Sequence, residues 1–204
     1  MDATSNGGAG AAPGLAQVAF NSGGSALVVT EKTTNLLDTY QVVNGLASGP
    51  VTHPSAGATP FGFAFDRHNH AVVSEASGSV SSYQVDGNGF SVISPAVVNM
   101  QVAACWIAIS NNGKFAYTTN AGSGSISSYK IAEDGSLSLL NATAGLIGAG
   151  SSPVDLAFSN NGSYLYALGN GAHTITIFQM GADGSLNKVG AISVPVGIAG
   201  LAAQ

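Results

Sequence analysis

The chain has 204 residues, 45% of them hydrophobic and only 7% charged, with a formal net charge of −5. Its five basic residues are scattered, which argues against nucleic-acid or anionic-membrane partners, and a lone cysteine, Cys105, rules out an intrachain disulfide. An average soluble domain is about 25% charged, so solubility here falls to Ser, Thr, Asn and the 28 glycines, the residues of tight turns.

The opening stretch, residues 1–13, is small and polar and is expected to be a disordered segment. From residue 14 onward an internal repeat sets the pattern. LAQVAF (15–20), PFGFAF (60–65), ACWIAI (104–109) and PVDLAF (153–158) occupy equivalent places, with Ala19, Ala64, Ala108 and Ala157 spaced 45, 44 and 49 residues apart. Each is followed by a polar turn, an apolar run, and a strand that ends in an aromatic: LDTY, VSSY, ISSY and TITIF.

The third repeat is the clearest. CWIAIS is a short apolar strand, and Asn111, Asn112 and Gly113 form a turn, because Asn and Gly tolerate positive φ. KFAYTTN alternates as a strand, AGSG turns, SISSYKI is a third strand, AEDGS turns again, and LSLLNAT is a fourth. Four antiparallel strands in about 45 residues are a β-propeller blade. The fold class is therefore all-β, a partial propeller of four blades at about 14–58, 59–102, 103–151 and 152–204, with no linker that splits it.

In a propeller the first strand of each blade lines the axis, and the loop leading into it shares a face with the loop between the second and third strands. Glu31 in VVTEK and Glu75 in VVSEA fall at the same blade position, where the third repeat has Asn120 and the fourth Gly169–Asn170. Carboxylates at that mouth would act as general bases toward water, or would cap strand ends and satisfy loop amides. His53, read as part of a lead-in loop, and His173, in a second-to-third strand loop, belong to the same face. Histidine titrates near neutrality and suits proton transfer. Lys32 follows Glu31. Cys105 begins an innermost strand and is read as a small apolar residue that touches substrate. His68 and His70 have metal-ligand spacing on the opposite face, but the sequence offers no third ligand beside them, and no metal or other cofactor is expected. No G-x-S-x-G elbow or phosphate loop occurs.

On the segments VAFNSGGSALVVTEKTTNLLDTYQV, PSAGATPFGFAF, AACWIAISNNGKFAYTTNAGSGSISSYKI and SSPVDLAFSNNGSYLYALGNGAHTITIF, the chain resembles the lactonase-type seven-bladed β-propellers, which include 6-phosphogluconolactonase-like and carboxymuconate-cyclase-like proteins. The resemblance covers about residues 14–204 and corresponds to the C-terminal four blades of such a ring. It implies hydrolysis of a small lactone or ester by water activation. Glu31, Glu75 and His53 would be the catalytic candidates, and Lys32, Asn120, His173 and Cys105 would contact substrate. Two departures weigh against this. Active members carry Pro-His at the start of an innermost strand, where this chain reads Pro60-Phe61, Ala104-Cys105 and Pro153-Val154; they also carry channel arginines, whereas the one arginine here is Arg67. The competing expectation is a non-catalytic scaffold that self-assembles into a homo-oligomer through exposed blade edges. The composition suits a secreted or periplasmic protein, although no leader segment is visible in the sequence.

Overall fold

The computed structural model describes residues 12–86 and 89–203, so the segment expected to be disordered lies almost wholly outside the described residues. Sixteen strands form four sheets. The first blade contains β1 (Leu15–Phe20), β2 (Ala26–Glu31), β3 (Leu36–Val43) and β4 (Leu46–Pro54). The second contains β5 (Pro60–Phe65), β6 (His70–Glu75), β7 (Ser79–Asp86) and β8 (Gly89–Val98). The third contains β9 (Ala104–Ile109), β10 (Phe115–Asn120), β11 (Ser125–Ile131) and β12 (Leu137–Leu146). The fourth contains β13 (Pro153–Phe158), β14 (Tyr164–Gly169), β15 (Thr174–Met180) and β16 (Leu186–Ser193). Every sheet is antiparallel with its strands in chain order, as four-stranded propeller blades require. Among the described residues no helix is long and apolar enough to cross a membrane.

The blades stack through their faces, and the strand period of two decides which residues meet. Leu37, Val28 and Ala26 of the first blade pack on Phe63, Ala71, Val73, Tyr83 and Val85 of the second. Val72 and Val80 of the second meet Ile107, Ala116, Tyr129 and Ile131 of the third. Phe115, Tyr117 and Ile126 of the third meet Leu156, Leu165, Ala167 and Phe178 of the fourth. Among the described residues no core cluster joins the first blade to the fourth, and the blades form an open arc. One consequence is visible on β1. Ile107 is 4% exposed beneath the second blade, whereas Val18, its counterpart in the first repeat, is 60% exposed and nearby Phe20 is 58% exposed.

Each innermost strand breaks register with its neighbour near its start, at Leu15/Val18, Pro60/Phe63, opposite Thr118/Asn120, and at Pro153/Asp155. Such a bulge leaves a strand N–H without a ladder partner. Side-chain hydroxyls on the second strands fill the gap: Gln17 N–H donates to Thr30 Oγ1 (3.2 Å), and Trp106 N–H to Thr119 Oγ1 (3.0 Å). The same row of hydroxyls stitches blade to blade, with Thr30 Oγ1 donating to Phe61 O (2.6 Å) and Ser74 Oγ reaching Cys105 O (2.5 Å). Gln17 adds an amide clamp across the first junction, donating to Phe63 O (2.9 Å) and accepting from Phe63 N–H (2.8 Å).

One expectation about placement is corrected. His53 is not in a loop; β4 runs through it to Pro54, and it pairs with Leu37 on the outermost strand. The edge strand accommodates Pro50 and Pro54 because its outer N–H groups need no ladder partner.

Candidate functional site on the inner wall of the arc

The residues that end the second strands sit where the repeat places them, and the structure shows what they touch. Glu75 is inaccessible to solvent. Its carboxylate accepts hydrogen bonds from Ser79 Oγ (2.5 Å), from Ser81 Oγ and from the Gly57 N–H. Gly57 lies so close that a Cβ there would come within 2.2 Å of Glu75 Oε2, so glycine is what lets the lead-in loop of the second blade settle on the carboxylate. Burial raises the Glu75 pKa above the usual carboxylate range, against the lowering effect of its three donors. Glu31 is also solvent-inaccessible and accepts from Thr34 Oγ1. Burial raises its pKa; the Thr34 hydroxyl opposes the shift, and the hydrogen bond and charge of neighbouring Asp38 add to it. Asn120, fully buried, donates to Ser125 Oγ (3.1 Å) and Ser127 Oγ (2.9 Å) and accepts from Asn99 Nδ2 (3.1 Å) of its own blade's lead-in loop. These three residues share a blade position, and each is sealed from solvent.

His53 stands at the outer rim, stacked on Phe90 with ring centres 4.0 Å apart and with Nε2 2.9 Å from Thr39 Oγ1. Burial lowers its pKa, opposed by the charge of Asp38. It lines a cleft of about 630 Å³ with Thr39, Tyr40, Gln41, Asp86 and Phe90, between the outer parts of the first two blades and away from the axis. His173 occupies the loop after β14 with φ 53°, and its Nδ1 is buried without a hydrogen-bond partner.

The half-buried groups that do come together lie on the innermost strands β5 and β9 and in the loop after β2. Lys32 Nζ is 4.9 Å from the centre of the Phe61 ring, and Phe61 meets Trp106 edge-on at 6.4 Å. This is a cation over an aromatic face, with a second ring beside it. Cys105 adjoins Trp106; burial raises its thiol pKa, and the Lys32 charge partly offsets the shift. Three blades thus contribute one cation, two aromatic rings and a thiol to one wall. On the fourth blade Asp155, which sequence reasoning missed, occupies the strand position of Gln17, Gly62 and Trp106. Its Oδ1 accepts from Leu156 N–H (2.7 Å) and its Oδ2 from Leu201 N–H (2.7 Å), and burial nevertheless raises its pKa. A carboxylate has about four acceptor sites, so two bonds leave it able to hold water. The available signal was a lone carboxylate in an innermost strand.

On the opposite ends of the sheets, Asp66 supplies the partner that His68 and His70 lacked in the sequence reading, with ligand atoms of all three within 4.8 Å of one another.

Residues 89–199 match the family described as lactonase, 7-bladed beta-propeller. The chain belongs to that family. No curated protein matches it. Among solved structures, it is similar to a Bacteroides uniformis protein that carries a 6-phosphogluconolactonase designation, at 19% identity and TM-score 0.76, over 88% of this chain and 55% of that one. It is similar also to the Pseudomonas aeruginosa periplasmic gluconolactonase, at 15% identity and TM-score 0.71, over 93% of this chain and 60% of that one. A chain of a nidogen/laminin complex is a more distant likeness, at 11% identity and TM-score 0.61, over 87% of this chain and 62% of that one. At these identities the likeness concerns the fold. The chain spans little more than half the length of the lactonase-type structures it matches.

Proposed function

We propose that this lactonase-family chain hydrolyses a small lactone or ester on the inner wall of the arc, its four blades corresponding to the C-terminal four of a seven-bladed ring. The observation that carries this reading is the grouping of Lys32, Phe61, Cys105 and Trp106 from three successive blades. The rings give a flat apolar bed for a cyclic substrate, and the ammonium lies where it stabilises the oxyanion that forms as water adds to the carbonyl. Asp155 accepts the proton of the attacking water. The water oxygen bonds to the acyl carbon, the acyl C–O bond breaks, and the proton passes to the departing alkoxide. Glu31 and Glu75 are assigned instead to holding the mouth loops, because both are sealed from solvent, and His53 is assigned to the rim. Cys105 and Asn120 contribute through packing and loop placement. The periplasmic relative supports a secreted or periplasmic setting.

The test is a panel of lactones and activated esters followed in a pH-stat. The expected result is saturable hydrolysis above buffer that falls by roughly 100-fold or more in Asp155→Asn, a loss of the size given by removing a general base, and that weakens in Lys32→Met. Wild-type turnover indistinguishable from buffer overturns the reading.

A second reading has its own observation. The flank of the first blade presents Val18 and Phe20 to solvent at the places that inter-blade packing covers elsewhere. On this reading the protein is a non-catalytic scaffold that forms a homo-oligomer through that flank. Light scattering during gel filtration decides it, since a clean monomer of 20.1 kDa removes the self-assembly claim.

A further inference from the structure

The first-to-second strand turns offer an internal comparison. In three blades the residue after the innermost strand serves only to shape this turn. Asn21 Oδ1 accepts from Ser25 and Ala26 N–H, Ser110 Oγ from Phe115 N–H, and Ser159 Oγ from Tyr164 N–H. In each of these blades the N–H of the same residue donates to the carbonyl five residues later. The second blade departs twice. Its sequence there is DRHNH, and the Asp66 N–H reaches His70 O, four residues later, so the turn is one residue shorter. Asp66 Oδ1 shapes the turn by accepting from His68 N–H (2.8 Å) and His70 N–H (2.9 Å). Oδ2 is thereby left for side chains, 2.8 Å from His70 Nδ1 and 3.9 Å from His68 Nδ1.

The structural role of His70 is also clear. It occupies the place of Phe115 and packs on the next blade's turn glycine, Gly135, as Phe115 packs on Gly184. That packing accounts for an aromatic ring at this place. It accounts neither for the carboxylate beneath the ring nor for the exposed second imidazole beside it.

We infer that Asp66, His68 and His70 form a binding site for a divalent transition-metal ion of the zinc type. The donor set, one carboxylate oxygen and two imidazole nitrogens, is that of sites with three protein ligands and a fourth position for water. Zinc bonds of about 2.0–2.1 Å in a tetrahedron set neighbouring ligand atoms about 3.3 Å apart. The two Asp66–His separations, 2.8 and 3.9 Å, lie on either side of that value, and the ligand atoms of all three residues fall within 4.8 Å of one another. The buried pair, Asp66 and His70, fixes two positions, and the exposed His68 closes onto them by a small side-chain rotation. An ion here clips the shortened turn of the second blade. The site lies at the ends of the sheets away from the mouth and does not depend on the hydrolase reading.

The experiment titrates zinc chloride into the untagged chain by calorimetry, with magnesium chloride as the comparison, and follows cobalt chloride by visible absorption. Zinc is expected to bind and magnesium not, and cobalt to give the intense visible band of a four-coordinate ion. His68→Ala is expected to weaken zinc binding at least about tenfold, the scale on which even outer partners of a ligand act. His70→Phe, which installs the aromatic of the third blade, is expected to keep the far-UV dichroism and lose the cobalt band. No zinc heat from the wild type, or wild-type zinc affinity in His68→Ala, overturns the site. Because His68 is exposed and free of core packing, that variant decides the matter even if His70→Phe fails to fold.

Discussion

Glu75 gives the sharpest test of how the arc is held. Replacing it with alanine strands the Gly57 N–H, which is fixed by the backbone, and removes the acceptors of Ser79 and Ser81. A buried fixed donor left unpaired costs about 1–3 kcal/mol, and each hydroxyl, free to turn toward another partner, loses about 0.5–1.5 kcal/mol. Relief of carboxylate burial offsets part of this, so the net expectation is about 3 kcal/mol, or a Tm lower by roughly 6–12 °C for a chain of this size. Glu75→Gln retains the shape and most of the bonding, and it isolates the effect of charge. The folded carboxyl has a pKa raised above its unfolded value. Its protonated form is therefore favoured by folding, and that contribution is fully present below the unfolded pKa and is lost as pH rises through the folded one. Wild type should gain stability relative to Glu75→Gln as pH falls from neutrality toward the carboxylate range. Urea midpoints of the three proteins across that range measure both effects. A Tm change under about 2 °C in the alanine variant, or a wild-type-minus-glutamine difference that shrinks as pH falls, would refute the assignment.

Further outcomes follow from other residues. If Asp155 is the base, its raised pKa places the acidic limb of the kcat/KM profile above the range of an ordinary carboxylate, and Asp155→Asn abolishes that limb. The Cys105 thiol, raised by burial, should react with a disulfide reagent at pH 8 several-fold more slowly than free cysteine, with unfolding in urea restoring the ordinary rate. Val18→Ser combined with Phe20→Ser should leave Tm nearly unchanged, since both side chains are exposed, yet shift any oligomer toward monomer by light scattering.

The architecture was legible because alternation, turn glycines and the recurring aromatic all state the same period. The aromatic succeeds as a marker because Tyr83, Tyr129 and Phe178 each plug a blade junction. The site was less legible, for reasons that differ from residue to residue. Glu31 and Glu75 were correctly paired by blade position, but no one-dimensional pattern reveals that loop amides and hydroxyls close over a carboxylate. His53 was misplaced because the repeat frame does not mark how far an outermost strand runs before the next lead-in loop begins. Asp155 was hidden by a framework in which its counterparts are Gln17, Gly62 and Trp106, so nothing flagged the position as special. Asp66 was within reach: set against SNNGKF and SNNGSY, DRHNH is one residue shorter and places a carboxylate close to two imidazoles.

The hydroxyl stitch between blades is directional. Thr30 and Ser74 each hand a proton forward to a carbonyl of the following blade, and at the corresponding place in the fourth blade stands Leu168, which has none to give. The arc therefore resembles a zipper whose teeth all face one way, with neighbours on both sides of the middle sheets and on one side of the outer two. In a chain built of nearest-neighbour couplings, local opening begins at the ends and spreads inward. Amide exchange should accordingly be slowest in β6 and β10, where six consecutive residues are buried on each strand, and fastest in β4 and β16, so that the second and third blades act as the keel on which the others hang.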